Sequence, residues 1–213
     1  RIKSPPQFIA ELDAAVATGH RGPIFVVDDN FIGHRPRAKA LLREVIRWRA
    51  ETGARNSLVT EASINLVDDP ELLELMVQAG FRSVFIGIES PDERSLEECR
   101  KVQNTRRDLV ASVRTIHRAG LQVMAGFIVG FDADREDVFE RQRRFIQEAG
   151  VVTAMVGLLT ALPGTRLFTR LTAEGRIVGR STGDNLSTVI NFEPRLDREV
   201  LVDGYRRLMK DLY

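Results

Sequence analysis

The sequence predicts an α/β fold: a parallel sheet of about five strands with helices outside it. Three observations carry this expectation. Five short apolar runs alternate with amphipathic stretches: 23–28 (PIFVVD), 57–63 (SLVTEAS), 83–88 (SVFIGI), 121–129 (LQVMAGFIV) and 151–159 (VVTAMVGLL). The runs are near-continuous, the pattern of strands covered on both faces or closed into a barrel. Three of the intervening stretches stop at Ala79-Gly80-Phe81, Ala119-Gly120-Leu121 and Ala149-Gly150-Val151. Glycine can close a helix there in the left-handed conformation, and the next residue enters or approaches a strand. The strand–helix unit repeats every 26 to 38 residues, in the range of βαβ crossovers. Right-handed crossovers bring every strand's C-terminal end to one face, where such folds place their chemistry.

Each element has its own signal. Ser4-Pro5-Pro6-Gln7 reads as a capping box with proline in the first turn, and Phe8, Ile9, Leu12, Ala15 and Val16 then recur with helical spacing. The chain therefore opens on a helix, and a first strand is expected upstream. Arg1, in place of Met, leads at once into Ser4-Pro5-Pro6 and reads as the start of a piece cut from a longer protein. Asp69-Pro70 starts another helix, with Leu72, Leu73, Met76 and Val77 facing inward. The repeat fades after residue 175, and 178–195 are polar and irregular. A last helix over 197–212 is expected to bury Val200, Leu201, Tyr205, Leu208 and Met209. The expected organisation is a partial barrel core at 1–177 and a C-terminal extension at 178–213. Ile24, Phe25, Val26 and Val27 would make a poor exposed edge, so the chain is expected to self-associate unless the 178–195 tail covers it.

Composition narrows the function. Of 213 residues, 43% are hydrophobic and 29% charged, which suits one large domain with a real core. The net charge is +1, with acids and bases interspersed, so there is no basic footprint for nucleic acid. No apolar run approaches the length of a membrane span, and no signal peptide is visible. One cysteine, Cys99, excludes an internal disulfide and suits a reducing cytoplasm.

The strand ends carry the chemistry. The run at 23–28 ends in Asp28-Asp29-Asn30. The run at 57–63 holds Thr60, Glu61 and Ser63. The run at 83–88 leads into Glu89-Ser90. The fourth contains Gly126, Ile128 and Gly130 and is followed by Asp132, and the fifth leads to Leu162-Pro163-Gly164-Thr165. Acids, hydroxyls and glycines on one rim describe a polar small-molecule site with partners for amines and hydroxyls.

In this order, "VDDNF", "GIES", "GFIVGFD" and "LPGTRLF" resemble the radical S-adenosylmethionine enzymes, in particular the subgroup with a cobalamin-binding domain. That subgroup holds the anaerobic magnesium-protoporphyrin monomethyl ester oxidative cyclases and the hopanoid methylases. The resemblance spans roughly residues 1–177 and implies a partial (β/α) barrel. It implies a four-iron four-sulfur cluster on a CxxxCxxC loop after the first strand. S-adenosylmethionine would chelate the unique iron and be cleaved reductively to a 5′-deoxyadenosyl radical. Position by position, it implies that Asp28, Asp29 and Asn30 meet the methionine amino group. Glu89 and Ser90 would read the ribose, with help from Glu61 and Ser63. Gly126, Ile128 and Gly130 match the GxIxG motif beside adenine, and Leu162 and Pro163 would close the adenine side. The family also implies an electron donor such as flavodoxin or ferredoxin, and its cyclase and methylase members a large apolar substrate. The outcome would be radical methylation or oxidative cyclisation.

The departure is equally plain. CxxxCxxC is absent, and one thiol cannot hold a cluster that needs three. The upstream cobalamin domain is absent as well, so this chain alone is expected to be inactive. Plainer readings stand beside the resemblance. Asp28-Asp29-Asn30 could cap a helix or bind a divalent metal, Glu89 could be a structural ion-pair acid, and Gly126 and Gly130 could mark a strand bulge. Two other functions are open: a ligand- or partner-binding α/β-barrel module without catalysis, and a metal-dependent barrel lyase. The lyase would require eight strand units and a phosphate-binding glycine loop; five units and no such loop are found.

Overall fold

The computed structural model describes residues 3–181, 183 and 188–213. Five strands form one sheet: β1 (Ile24–Val26), β2 (Leu58–Glu61), β3 (Phe81–Glu89), β4 (Gln122–Val129) and β5 (Thr153–Leu158). They lie in the order β1-β2-β3-β4-β5 and run parallel. Ile24 stands opposite Leu58, and Thr60 opposite Val84, with a register shift at Leu58/Val59. The α/β expectation is met. The strands differ at their ends: β1 is shorter than 23–28, and β3 begins two residues earlier than 83.

The helices between the strands are α1 (Pro5–Ala17), α2 (Arg35–Thr52), α3 (Pro70–Gln78), α4 (Glu93–Glu98), α5 (Leu109–Arg118), α6 (Val138–Ala149) and α7 (Arg166–Ala173). A last helix, α8 (Arg198–Leu212), follows the tail. Their boundaries follow from local chemistry. Gln7 reaches back to accept from the Ser4 N–H at 3.0 Å, which satisfies one donor ahead of the helix. Asp69 caps α3 by accepting from the Leu72 N–H at 3.1 Å. Gly80, Gly120 and Gly150 take φ of 90°, 103° and 76° and end their helices as expected. No helix among the described residues is long and apolar enough to cross a membrane.

The chain forms two compact units. One comprises Arg1–Gly87 with Ala111–Met124, and the other Ile88–Val110 with Ala125–Tyr213. In the first, Leu42, Leu58, Leu72, Met76, Val84 and Ile86 are fully buried. The Phe31 and Phe81 rings meet at 5.3 Å between centroids. Trp48 donates its indole N–H to Asp13 at 2.7 Å and joins α2 to α1. Leu75 is buried on α3, where Val77 is only half-buried. At β1, Phe25 and Val27 are 47% and 85% exposed.

In the second unit, Phe127 packs edge-on against Phe145 at 5.8 Å, beneath α6. Leu201, Tyr205 and Leu208 of α8 are buried as expected, while Val200 and Met209 are half-buried. The tail is not all irregular: Ile177 bridges Phe192 antiparallel, and Ile190 and Phe192 are buried. At β5, the Tyr213 hydroxyl accepts from the Ala154 N–H at 3.0 Å and donates to its carbonyl at 2.8 Å.

Candidate functional site

In the first unit the acids sit just beyond β1. The short strand releases the chain at Val27, and Asp28 folds the turn by accepting from the Asn30 N–H at 2.9 Å. Asp28 and Asp29 are exposed. Neither has an ion-pair partner among the described residues. Asn30 carries the turn across to the end of β2. Its Oδ1 accepts from the Ser63 N–H at 3.2 Å, and Ser63 Oγ lies 3.3 Å from it and 2.6 Å from Asn65 Oδ1. Glu61 is half-buried, and its carbonyl accepts from the Phe31 N–H at 3.0 Å. Thr60 is fully buried and gives its hydroxyl to the Val26 carbonyl at 2.9 Å, so it holds β1 to β2. Asp28 and Asn30 line a cavity of about 620 Å³ together with Lys3, His34 and Arg37.

In the second unit Glu89 ends β3 with φ of 67°, a left-handed conformation that is costly for a residue with a Cβ. Its carboxylate accepts from Lys101 Nζ at 2.7 Å. Ser90 is fully buried; its N–H bonds the Ile88 carbonyl, and its hydroxyl accepts from the Asp92 N–H at 3.1 Å. Along β4 the period of two leaves Met124, Gly126 and Ile128 on the half-exposed face and buries Ala125, Phe127 and Val129. Gly130 follows with φ of 110°. The buried Asp134 fixes this turn, accepting from the Gly130 N–H at 2.8 Å, the Phe131 N–H at 3.1 Å and the Ser95 hydroxyl at 2.7 Å. Burial pushes the Asp134 carboxyl up, against the pull of these three donors. Leu162 and Pro163 lie exposed in the loop after β5.

Asp132 is not open to a ligand. Arg170 reaches it at 2.6 Å, and Arg176 holds both of its oxygens at 2.7 and 2.9 Å. Burial works to raise its carboxyl, but the hydrogen bonds from Arg176 and Arg170 win and hold it at about 2. Asp92 is alike: burial raises it, and Arg94 and Arg141 bring it down to about 2. A carboxyl depressed on folding adds stability that is complete above its unfolded pKa and lost as pH falls through the folded one. The window here runs from about 4 down to about 2. After screening, each group should contribute about 1–2 kcal/mol. Urea unfolding of the wild type and Asp132→Asn should show a stability gap at pH 6 that closes by pH 2. A gap independent of pH would contradict the assignment.

The geometry thus joins Asp28, Asn30 and Ser63 in one turn of the first unit, with Asp29 beside them and Glu61 at the strand end. In the second unit it places Glu89, Ser90, Gly130, Leu162 and Pro163 at or just past strand ends, and Gly126 and Ile128 on the half-exposed face of β4. Sequence reasoning missed Lys101, Asp134 and Asn191. Asn191 had a visible signal, an amide between two apolar residues in a polar tail. Among the described residues, no group of three or more His, Cys, Asp or Glu is arranged to hold a metal ion. Cys99 ends α4, exposed, with its thiol donating to the Leu96 carbonyl at 3.4 Å.

Comparison with known proteins gives a consistent picture. A profile described as the radical SAM superfamily matches residues 1–146, and a domain of unknown function, DUF4070, matches 165–213. An uncharacterised methyltransferase of Synechocystis sp. is 43% identical over 214 residues, covering all of this chain and 40% of its own length. The hopanoid C-2 methylase of Rhodopseudomonas palustris is 40% identical over 192 residues, 90% of this chain and 36% of its own length. The chain thus spans about two-fifths of the curated relatives it matches. In fold it is similar to the radical S-adenosylmethionine methyltransferase TsrM of Kitasatospora setae, a structure with cobalamin and a [4Fe-4S] cluster bound. The TM-score is 0.70 at 20% identity, over 85% of this chain and 33% of that one.

Proposed function

The chain belongs to the radical S-adenosylmethionine superfamily, and from that premise we propose that it is the S-adenosylmethionine-binding part of a longer radical methyltransferase. The observation that carries this reading is the pair of exposed acids just past β1, Asp28 and Asp29, which lack ion-pair partners among the described residues. Unpaired carboxylates suit an ammonium, and the methionine amino group is one.

The remaining residues take roles by their chemistry. Asn30 holds the acidic turn against Ser63, and Glu61, at the end of β2, offers a further carboxylate. Lys101 occupies Glu89 Oε1, and Oε2 is the acceptor proposed for the ribose hydroxyls; the buried Ser90 keeps that turn in shape. Gly126 leaves room beside Ile128 for the adenine plane, Gly130 and Asp134 fix the end of β4, and Leu162 and Pro163 cover the base. When bound and reduced, S-adenosylmethionine supplies radical chemistry at an unactivated carbon. The chain's own residues bind and orient it.

A four-iron four-sulfur cluster does not fit this chain, because Cys99 is the single thiol and sits at a helix end. We assign the cluster, and a cobalamin, to parts of the longer protein, with residues 1–177 as its barrel portion and 178–213 as an extension. Methyl transfer is favoured over ring closure by the names of the 43% and 40% identical relatives. A large apolar substrate, a flavodoxin- or ferredoxin-like electron donor and a cytoplasmic setting complete the reading. The exposed Phe25 and Val27 support pairing of β1 with a further strand, upstream in the longer protein or in a second copy.

Two tests follow. The coding sequence upstream of Arg1 should encode a CxxxCxxC loop. The 213-residue chain alone, reconstituted anaerobically with iron and sulfide, should show no stoichiometric cluster absorption and no 5′-deoxyadenosine. A stoichiometric cluster with product would overturn the division of labour proposed here.

A further inference from the structure

We propose that Asn191 is a positioning residue for the loop after β5, and that the segment matching the domain of unknown function serves as a brace for strand-end loops. The inference rests on the reading that Leu162 and Pro163 cover the adenine.

Asn191 is 2% exposed. Its Oδ1 accepts from the Ala161 N–H at 2.9 Å, and its Nδ2 donates to the Ala161 carbonyl at 2.8 Å. A carboxamide can present its oxygen and one of its two N–H groups side by side, as a neighbouring strand presents a carbonyl and an N–H, so Asn191 stands in for such a strand at the point where β5 has ended. Both peptide groups of Ala161 are thereby fixed, and the exposed Leu162 and Pro163 project from the next two positions. Water does not substitute at this depth: Ala161 is fully buried, so losing the amide would orphan a donor and an acceptor.

Asn191 is itself held from several sides. Its carbonyl accepts from the Val178 N–H at 3.0 Å. Its neighbours' carbonyls, on Ile190 and Phe192, accept from Arg198 at 3.1 and 2.8 Å. The same segment reaches the loop after β4. Leu201 Cδ2 would lie 3.3 Å from a Cβ at Gly130, and Arg170 and Arg176 grip Asp132. A segment that only filled the core would need neither the two Asn191 bonds to the Ala161 backbone nor the grip on the Asp132 carboxylate.

The test uses the full-length, cluster-loaded protein carrying Asn191→Leu, which keeps the branched outline and removes both bonds, or Asn191→Asp, which keeps an acceptor for the Ala161 N–H. Hydrogen exchange at the Ala161 amide should speed roughly tenfold or more in Asn191→Leu and less in Asn191→Asp. The dissociation constant for S-adenosylmethionine, by calorimetry, should rise roughly three- to tenfold in the same order, with kcat at saturation within about twofold of wild type. Should Asn191→Leu fail to fold, Asn191→Asp carries the same readouts. Unchanged exchange at Ala161 would overturn the brace. Faster exchange with unchanged affinity would overturn the positioning role. A wild-type protein that did not bind S-adenosylmethionine would sink the functional reading instead, while the exchange measurement still decided whether Asn191 holds the loop.

Discussion

Glu89→Ala in the cluster-loaded full-length protein should weaken S-adenosylmethionine binding more than tenfold. The proposed bond from a ribose hydroxyl to the carboxylate is charge-assisted, and losing such a bond costs about 1.5–3 kcal/mol. The backbone adds to the argument. Glu89 is held at φ of 67° while most of its neighbours on β3 are extended, and strain of this kind persists where the surroundings over-determine it. Alanine at the same φ is about as strained, so the substitution removes the carboxylate without relaxing the turn. Lys101 loses its partner, but its side chain is 25% exposed, so water takes over much of that interaction and stability should change little. Asp29→Ala tests the first unit in the same way and should act on affinity with smaller consequences for stability, because Asp29 is exposed. Calorimetric titration that returned wild-type dissociation constants for both variants would remove the basis for the site.

Gly204→Ala should lower the thermal midpoint, although alanine is the better helix former by about 1 kcal/mol. Gly204 lies in the buried face of α8, and a Cβ there would overlap Cε2 and Cζ of the Phe139 ring. Atoms cannot approach so closely, so the Phe139 ring or the helix must move, and overpacking of this kind costs about 1–3 kcal/mol. The clash therefore outweighs the gain in propensity. For a chain of this size each kcal/mol moves the midpoint by about 2–4 °C. Phe139→Ala combined with Gly204→Ala should recover part of the loss relative to the sum of the single changes, since the two residues are in contact. A higher midpoint for Gly204→Ala alone would show that α8 crosses α6 with more room than this overlap allows.

What could be read in advance follows the range of each interaction. Gly80, Gly120 and Gly150 were legible because a helix stop is settled by a few adjacent residues. The cap at Asp69 and the tip at Asp28-Asp29-Asn30 were legible for the same reason. The length of β1 was not: whether Val27 and Asp28 continue the strand depends on Asn30 turning toward Ser63, 33 positions away. Asp132 was read as part of an open rim, yet Arg170 and Arg176 arrive from 38 and 44 positions later and occupy it. Asn191 and Ala161 are 30 positions apart, and nothing local to either announces the other. On α8 the periodicity found the right face, but it weighted Val200 and Met209 over Gly204, because a glycine gives no hydropathy signal where its use is to let another helix come close.

The order β1-β2-β3-β4-β5 bears on how the chain reaches this structure. Every strand pairs with its neighbour in sequence, so each pairing closes a loop of one α-helix and its turns, or of two between β3 and β4. Such contacts lose less chain entropy before they form than the pairings of a sheet whose order is shuffled. Pairs can form in the order in which they leave the ribosome, β2 onto β1 and then β3 onto β2, each new strand finding a template already in place. The bonds from Asn191 to Ala161 and from Tyr213 to Ala154 belong to a segment synthesised after all five strands. The loop after β5 therefore gains this support only once residue 191 has been synthesised, and until then Ala161 waits with its backbone groups unanswered.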